Sequence, residues 1–85
     1  MVEELIENGE YLQALNQLHD MNDEKTRYLR LVCFIGLGEF EKAKYEGAQA
    51  KALAKETYYD VISMYIMALK ELGEYEEAID LLIEE

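Results

Sequence analysis

Few side chains in this 85-residue chain have both the type and the neighbours that catalysis requires. The sole histidine, His19, lies beside Asp20, a pairing that can polarise an imidazole for proton transfer. At a helix end, however, a histidine serves the terminal carbonyls, which attract positive charge. The sole cysteine, Cys33, sits inside Leu31-Val32-Cys33-Phe34-Ile35 and reads as a small buried hydrophobe. Without a second cysteine there is no zinc-ligand spacing. Ser63 has no histidine in its own helix hairpin and no Gly-x-Ser-x-Gly around it. The glycines are dispersed, so no phosphate-cradling loop forms, and no EF-hand loop is present. Glu10, Glu74, Glu76 and Glu77 fall where acids complement the first turn of a helix. These residues predict no enzyme, no catalytic residue, no metal and no cofactor.

The elements that carry these residues are helical. Leu5, Ile6, Leu12, Leu15 and Leu18 follow a 3.6-residue period, as do Tyr28, Leu31, Val32 and Ile35. Val61, Ile62, Tyr65, Ile66, Leu69 and Leu72 form a wide stripe, and Ala78, Leu81 and Leu82 follow. There is no proline and no strand-like alternation. Asn8-Gly9, Gly38 and Gly73 each close an apolar helical stretch, as a left-handed terminal glycine does. Asn22 or Asp23 suits the next N-cap, and Thr57-Tyr58-Tyr59-Asp60 has capping-box spacing with Asp in place of Glu. The spacing predicts an all-α chain with helices at about 2–8, 10–20, 23–37, 39–55, 58–72 and 74–85.

A repeat organises them. Gly9-Glu10-Tyr11-Leu12-Gln13-Ala14 matches Gly38-Glu39-Phe40-Glu41-Lys42-Ala43 and Gly73-Glu74-Tyr75-Glu76-Glu77-Ala78. Glycine reverses the chain between antiparallel helices, the aromatic is expected to pack into the angle of its hairpin, and alanine permits close approach. Ala43, Gly47, Ala50 and Ala54 add a small-residue stripe, suited to tight packing or to a docking groove.

With these turns the chain resembles the tetratricopeptide-repeat family, whose helix pairs are joined by Leu-Gly-x-Tyr-x-x-Ala. Leu37-Gly38-Glu39-Phe40 and Leu72-Gly73-Glu74-Tyr75 look like that turn. The large apolar residue four beyond the alanine is present as Leu18 and Leu82, and Phe34 and Leu69 occupy the late first-helix position behind small Cys33 and Ala68. Departures are Gly47 in the middle repeat, Arg27 and Arg30 in place of an aromatic and a leucine, and the missing proline at each repeat end. The resemblance implies stacked helix hairpins forming a right-handed superhelix of five or six helices: a truncated repeat at 1–22 and repeats at 23–56 and 57–85, together one domain or the N-terminal part of a longer array. It also implies a concave face lined by Lys25, Tyr28, Val32 and Ile35 from one pair and Asp60, Ser63, Met67 and Lys70 from the next. The alternative for Tyr28, Val32, Ile35 and Met67 is simple core. Family members that grip a terminal carboxylate use Lys, Asn and Arg; the corresponding places here hold Tyr28, Val32, Asp60 and Met64, so that clamp is absent.

Charge narrows the partners. The net charge is −11, but residues 1–24 and 71–85 each carry seven acids and no Lys or Arg. All eight basic residues lie between Lys25 and Lys70, against five acids, so the middle is positive. Nucleic acid is disfavoured, and no 18-residue apolar stretch suggests a membrane span. The lone cysteine and acidic start suggest the cytoplasm. The expected function is a scaffold module binding a protein or peptide, with acidic or mixed-charge partners at the middle and basic ones at the outer helices. The alternative is a structural domain that self-associates through a last helix whose apolar face, Ile79 to Ile83, has no cap.

Overall fold

A computed structural model describes residues 1–84. The described chain is all-α, with α1 Val2–Glu7, α2 Tyr11–Leu18, α3 Glu24–Leu37, α4 Phe40–Leu53, α5 Tyr58–Glu71 and α6 Tyr75–Glu84. Each boundary lies within about two residues of the expected one, the helix ends being marked by local turn chemistry. The expectation at Glu85 lies outside the described residues. Consecutive helices pack on one another as hairpins, and α3 also packs on α5.

Within each hairpin the turn is built the same way. Gly9, Gly38 and Gly73 have φ of 79°, 74° and 79°, a region that costs other residues strain. In each case the amide of the following glutamate donates to a carbonyl five residues back. The bonds are Glu10 to Leu5 at 2.8 Å, Glu39 to Phe34 at 2.9 Å and Glu74 to Leu69 at 2.8 Å. This arrangement satisfies helix-terminal carbonyls and reverses the chain by local sequence alone.

Between hairpins the joints are made differently, by charged side chains reaching across. Helix α2 ends without glycine, and its terminal carbonyls are taken by Arg30 of α3. The guanidinium Nη1 donates to the carbonyls of Leu18 at 2.9 Å and Met21 at 2.6 Å, and Nη2 donates to Asn22 Oδ1 at 2.9 Å. Its other edge faces Glu46 of α4, with Nε and Nη2 both 3.2 Å from Oε2. Arg27 adds a third contact to the same oxygen at 3.1 Å. Arg30 and Glu46 are buried. Charges removed from water are tolerated only when partners replace the lost hydration. The two arginines that break the repeat pattern therefore hold three helices together.

The joint into α5 uses the opposite sign. Thr57 is the N-cap, but the expected capping box does not form, and Asp60 is exposed. The Glu24 carboxylate of α3 takes the place of the box, accepting from the Thr57 amide at 3.0 Å, the Thr57 hydroxyl at 2.8 Å and the Lys55 amide at 2.6 Å. Asp23 is the N-cap of α3, yet its carboxylate accepts from the Thr26 hydroxyl at 2.7 Å. Asn22 is drawn instead to Arg30.

One core cluster joins α3, α4 and α5 through Leu31, Ala43, Ala50, Val61 and Ala68, and a second joins α5 and α6 through Ile62, Tyr65, Leu69, Ala78 and Leu81. The small-residue stripe is packing, not an open groove. Ala43, Gly47 and Ala50 are buried, and a Cβ on Gly47 would lie 2.9 Å from the Tyr65 ring. The repeat aromatics do not all pack within their own hairpin as expected; Phe40 does join the core that includes its α3–α4 hairpin. Tyr11 lies against Gly36 of the following helix, where a Cβ would clash with its ring, and Tyr75 is 60% exposed.

Truncating Arg30 leaves Glu46 short of its main partner and the α2 carbonyls bare, so Arg30→Ala is expected to cost about 3 to 5 kcal/mol. Arg27→Ala, losing one contact, should cost about 1 kcal/mol. Urea unfolding followed by circular dichroism checks the order, and equal midpoints for the two variants would refute it. Gly47→Ala should lower the midpoint as well, because overpacking costs about 1 to 3 kcal/mol against a helix gain of about 1 kcal/mol.

Candidate partner-binding surface

The residues that the family resemblance assigns to a concave face lie on α3 and α5. Along α5 the buried residues Val61, Ile62, Tyr65, Ala68 and Leu69 turn inward, leaving Asp60, Ser63, Met67 and Lys70 exposed on the other side of the helix. This division follows from helical periodicity, since residues three and four apart share a face. On α3, Lys25 is exposed while Tyr28, Val32 and Ile35 are half-buried. Tyr28 and Ile35 pack against the α3–α4–α5 core, so for these two the core alternative holds in part. Met67, 44% exposed, is surface.

The electrostatics of the face are mixed. The Lys25 ammonium is 2.8 Å from Glu3 of α1. That hydrogen bond raises the Lys25 pKa and lowers that of Glu3. Lys25 therefore braces α1 against α3 instead of standing free for a partner. Burial pushes the Tyr28 phenol up, and the Asp60 carboxylate adds to the effect. Lys70 lies beyond them at the exposed end of α5. Just outside the predicted set, Tyr59 stands 74% exposed and meets Tyr58 edge-on, with ring centres 5.6 Å apart.

The residues first weighed for chemistry lie apart. His19 is exposed, with Nδ1 2.9 Å from the Asn16 carbonyl and Nε2 3.2 Å from Asp20, the helix-end role expected for it. Cys33 is fully buried, and burial pushes its thiol up to about 11. Ser63 stands on α5. Among the described residues no group of three His, Cys, Asp or Glu side chains could hold a metal ion. No described helix is long and apolar enough to cross a membrane.

One cleft, of about 470 Å³, opens among α2, α3 and α4 with Leu15, Phe34 and Tyr45 on its walls and Arg27, Arg30 and Glu46 beneath. Its cations are already committed. Arg30 is spent on Glu46, Asn22 and the negative end of α2, and Arg27 donates to Glu46. The cleft is a consequence of the α2–α3–α4 joint, not an anion pocket.

The apolar residues Ile79, Leu82 and Ile83, together with Tyr75, are 52%, 59%, 76% and 60% exposed on α6. The apolar face of α6 was legible in the sequence. Its register relative to α2 and α4 was the further signal, and the repeated glycines supply it.

No family model, no curated protein and no solved structure matches this chain.

Three donors hold the Glu24 carboxyl below its ordinary value of 4.5, the Lys55 and Thr57 amides foremost. A lowered native pKa stabilises the fold above the unfolded value, and that contribution disappears as pH falls through the native one. Glu24→Gln should therefore narrow the stability gap between neutral pH and pH below 4.5 relative to the parent chain. Thermal melts of both proteins across that range test this. Parallel curves would show that Glu24 does not carry the titration.

Proposed function

We propose that this chain is a non-catalytic, tetratricopeptide-like scaffold module that binds a protein or peptide along the α3–α5 face. The observation that carries the reading is the single exposed strip Asp60, Ser63, Met67 and Lys70, set beside half-buried Tyr28, Val32 and Ile35 on the neighbouring helix. Such a strip offers apolar contact, hydroxyl and amide-compatible groups and both signs of charge. An extended peptide or an amphipathic helix uses that combination.

The repeat of glycine turns supports the family reading, because helix pairs joined this way stack and expose the first helix of each pair on one side. Mixed-charge partners suit the face, since Asp60 and Lys70 are both exposed on it. The cytoplasm is the compartment in which a lone reduced thiol such as Cys33 is ordinary.

Met67 and Lys70 are exposed, so Met67→Ser with Lys70→Glu should leave the circular dichroism unchanged. Proteins captured from a lysate by the parent chain should be lost by this double variant and should be weakened at high salt, as screened charges predict. If every captured protein is retained by the variant, the α3–α5 face is not the binding surface.

A further inference from the structure

Counted from the glycine of each hairpin turn, the residues two, six and nine positions on are Tyr11, Leu15 and Leu18 in α2, Phe40, Lys44 and Gly47 in α4, and Tyr75, Ile79 and Leu82 in α6. In the first two helices later parts of the chain cover most of these positions, while Leu15 lines the α2–α3–α4 cleft. Tyr11 lies against Gly36 of α3, and Leu18 is buried with its carbonyl on Arg30. Phe40 packs into the core shared with α5, and Gly47 lies under Tyr65. Lys44 is bound to Glu74 in the turn after α5. In α6 the same three positions are 60%, 52% and 59% exposed, with Ile83 adjoining them. So α6 presents, uncovered and fully apolar, the face that takes a helix twice elsewhere in the molecule.

The surrounding charge decides what kind of helix fits. Residues 71–85 contain no Lys or Arg. Glu76 and Asp80, each one position after a stripe residue, are exposed along its solvent edge. Pairing two copies through α6 would set these carboxylates against their equivalents. Head-to-tail stacking would set them against α1, whose charged side chains are Glu3, Glu4 and Glu7. Both arrangements oppose like charges across a closed interface.

We propose that the α6 face docks an amphipathic helix of a different protein, with apolar residues at i, i+3 or i+4, and i+7 flanked by lysine or arginine. This is a second surface, separate from the α3–α5 face and independent of the function proposed for it. The apolar stripe supplies the contact, and the acidic edge selects the partner's sign and steers the encounter.

The probes are synthetic helical peptides that share one leucine stripe, edged with lysine in one and glutamate in the other. A third peptide has the lysine composition in scrambled order. Fluorescence anisotropy with the full chain should show the lysine-edged peptide binding about tenfold tighter than either control, with the margin shrinking as salt rises. Ile79→Ser with Leu82→Ser alters exposed side chains only. It should weaken that peptide about tenfold with unchanged helicity, whereas Met67→Ser with Lys70→Glu should not. Failure of the lysine-edged peptide to bind, equal binding by a control peptide, or no effect of the α6 variant overturns the proposal. So does light scattering that shows a dimer converted to monomer by the α6 variant, since the occupant would then be a second copy.

Discussion

A guanidinium buried among three helices is the constraint on which the rest of the fold depends. Arg30 stands on α3, binds the exposed carbonyls at the end of α2, and meets Glu46 on α4. Burying a charge is costly unless nearly every donor is matched, so this side chain tolerates only one placement of its neighbours. It thereby sets how far α2 lies from α4 and where the chain between α2 and α3 must run. Leu31 and Cys33, just beyond Arg30, are fully buried.

The molecule uses two kinds of joint, and they differ in range. Turns inside a hairpin are closed by glycine and by backbone bonds spanning five residues, so they need nothing distant. Joints between hairpins are closed by charge over long separations: a cation on the negative end of α2 and an anion, Glu24, on the amides at the start of α5. The hairpin is a local unit, whereas the stacking of hairpins is cooperative. An acidic chain thus spends both of its arginines on the α2–α3–α4 joint, which leaves less positive charge on the α3–α5 face than its sequence total suggests.

Both candidate surfaces follow from that arrangement. The α3–α5 face is left when the apolar sides of both helices turn to the core, so it is varied and mildly polar. The α6 face carries the positions that on α2 and α4 are packed against later parts of the chain, and here they are exposed. It is therefore apolar, rimmed by acids, and different in the partner it suits.

The sequence by itself determined the helices, their ends and the three glycine turns, because periodicity and left-handed glycine act within a few residues. The family resemblance picked out Asp60, Ser63, Met67 and Lys70, and these are exposed while Val61, Tyr65 and Leu69 are buried. What only the tertiary structure decided were the pairings between residues far apart. Arg27 and Arg30 looked like lapses in a pattern until Glu46 stood opposite them. The capping box at Thr57 yielded to a carboxylate 33 residues away, and Lys25 proved committed to Glu3. Tyr11, Phe40 and Tyr75 share one motif and end in different environments: Tyr11 lies against Gly36 of the next hairpin, Phe40 packs on the α3–α4–α5 core, and Tyr75 is exposed. Local rules choose the conformation of a segment, but a charge or a ring is satisfied by whatever the packing brings beside it.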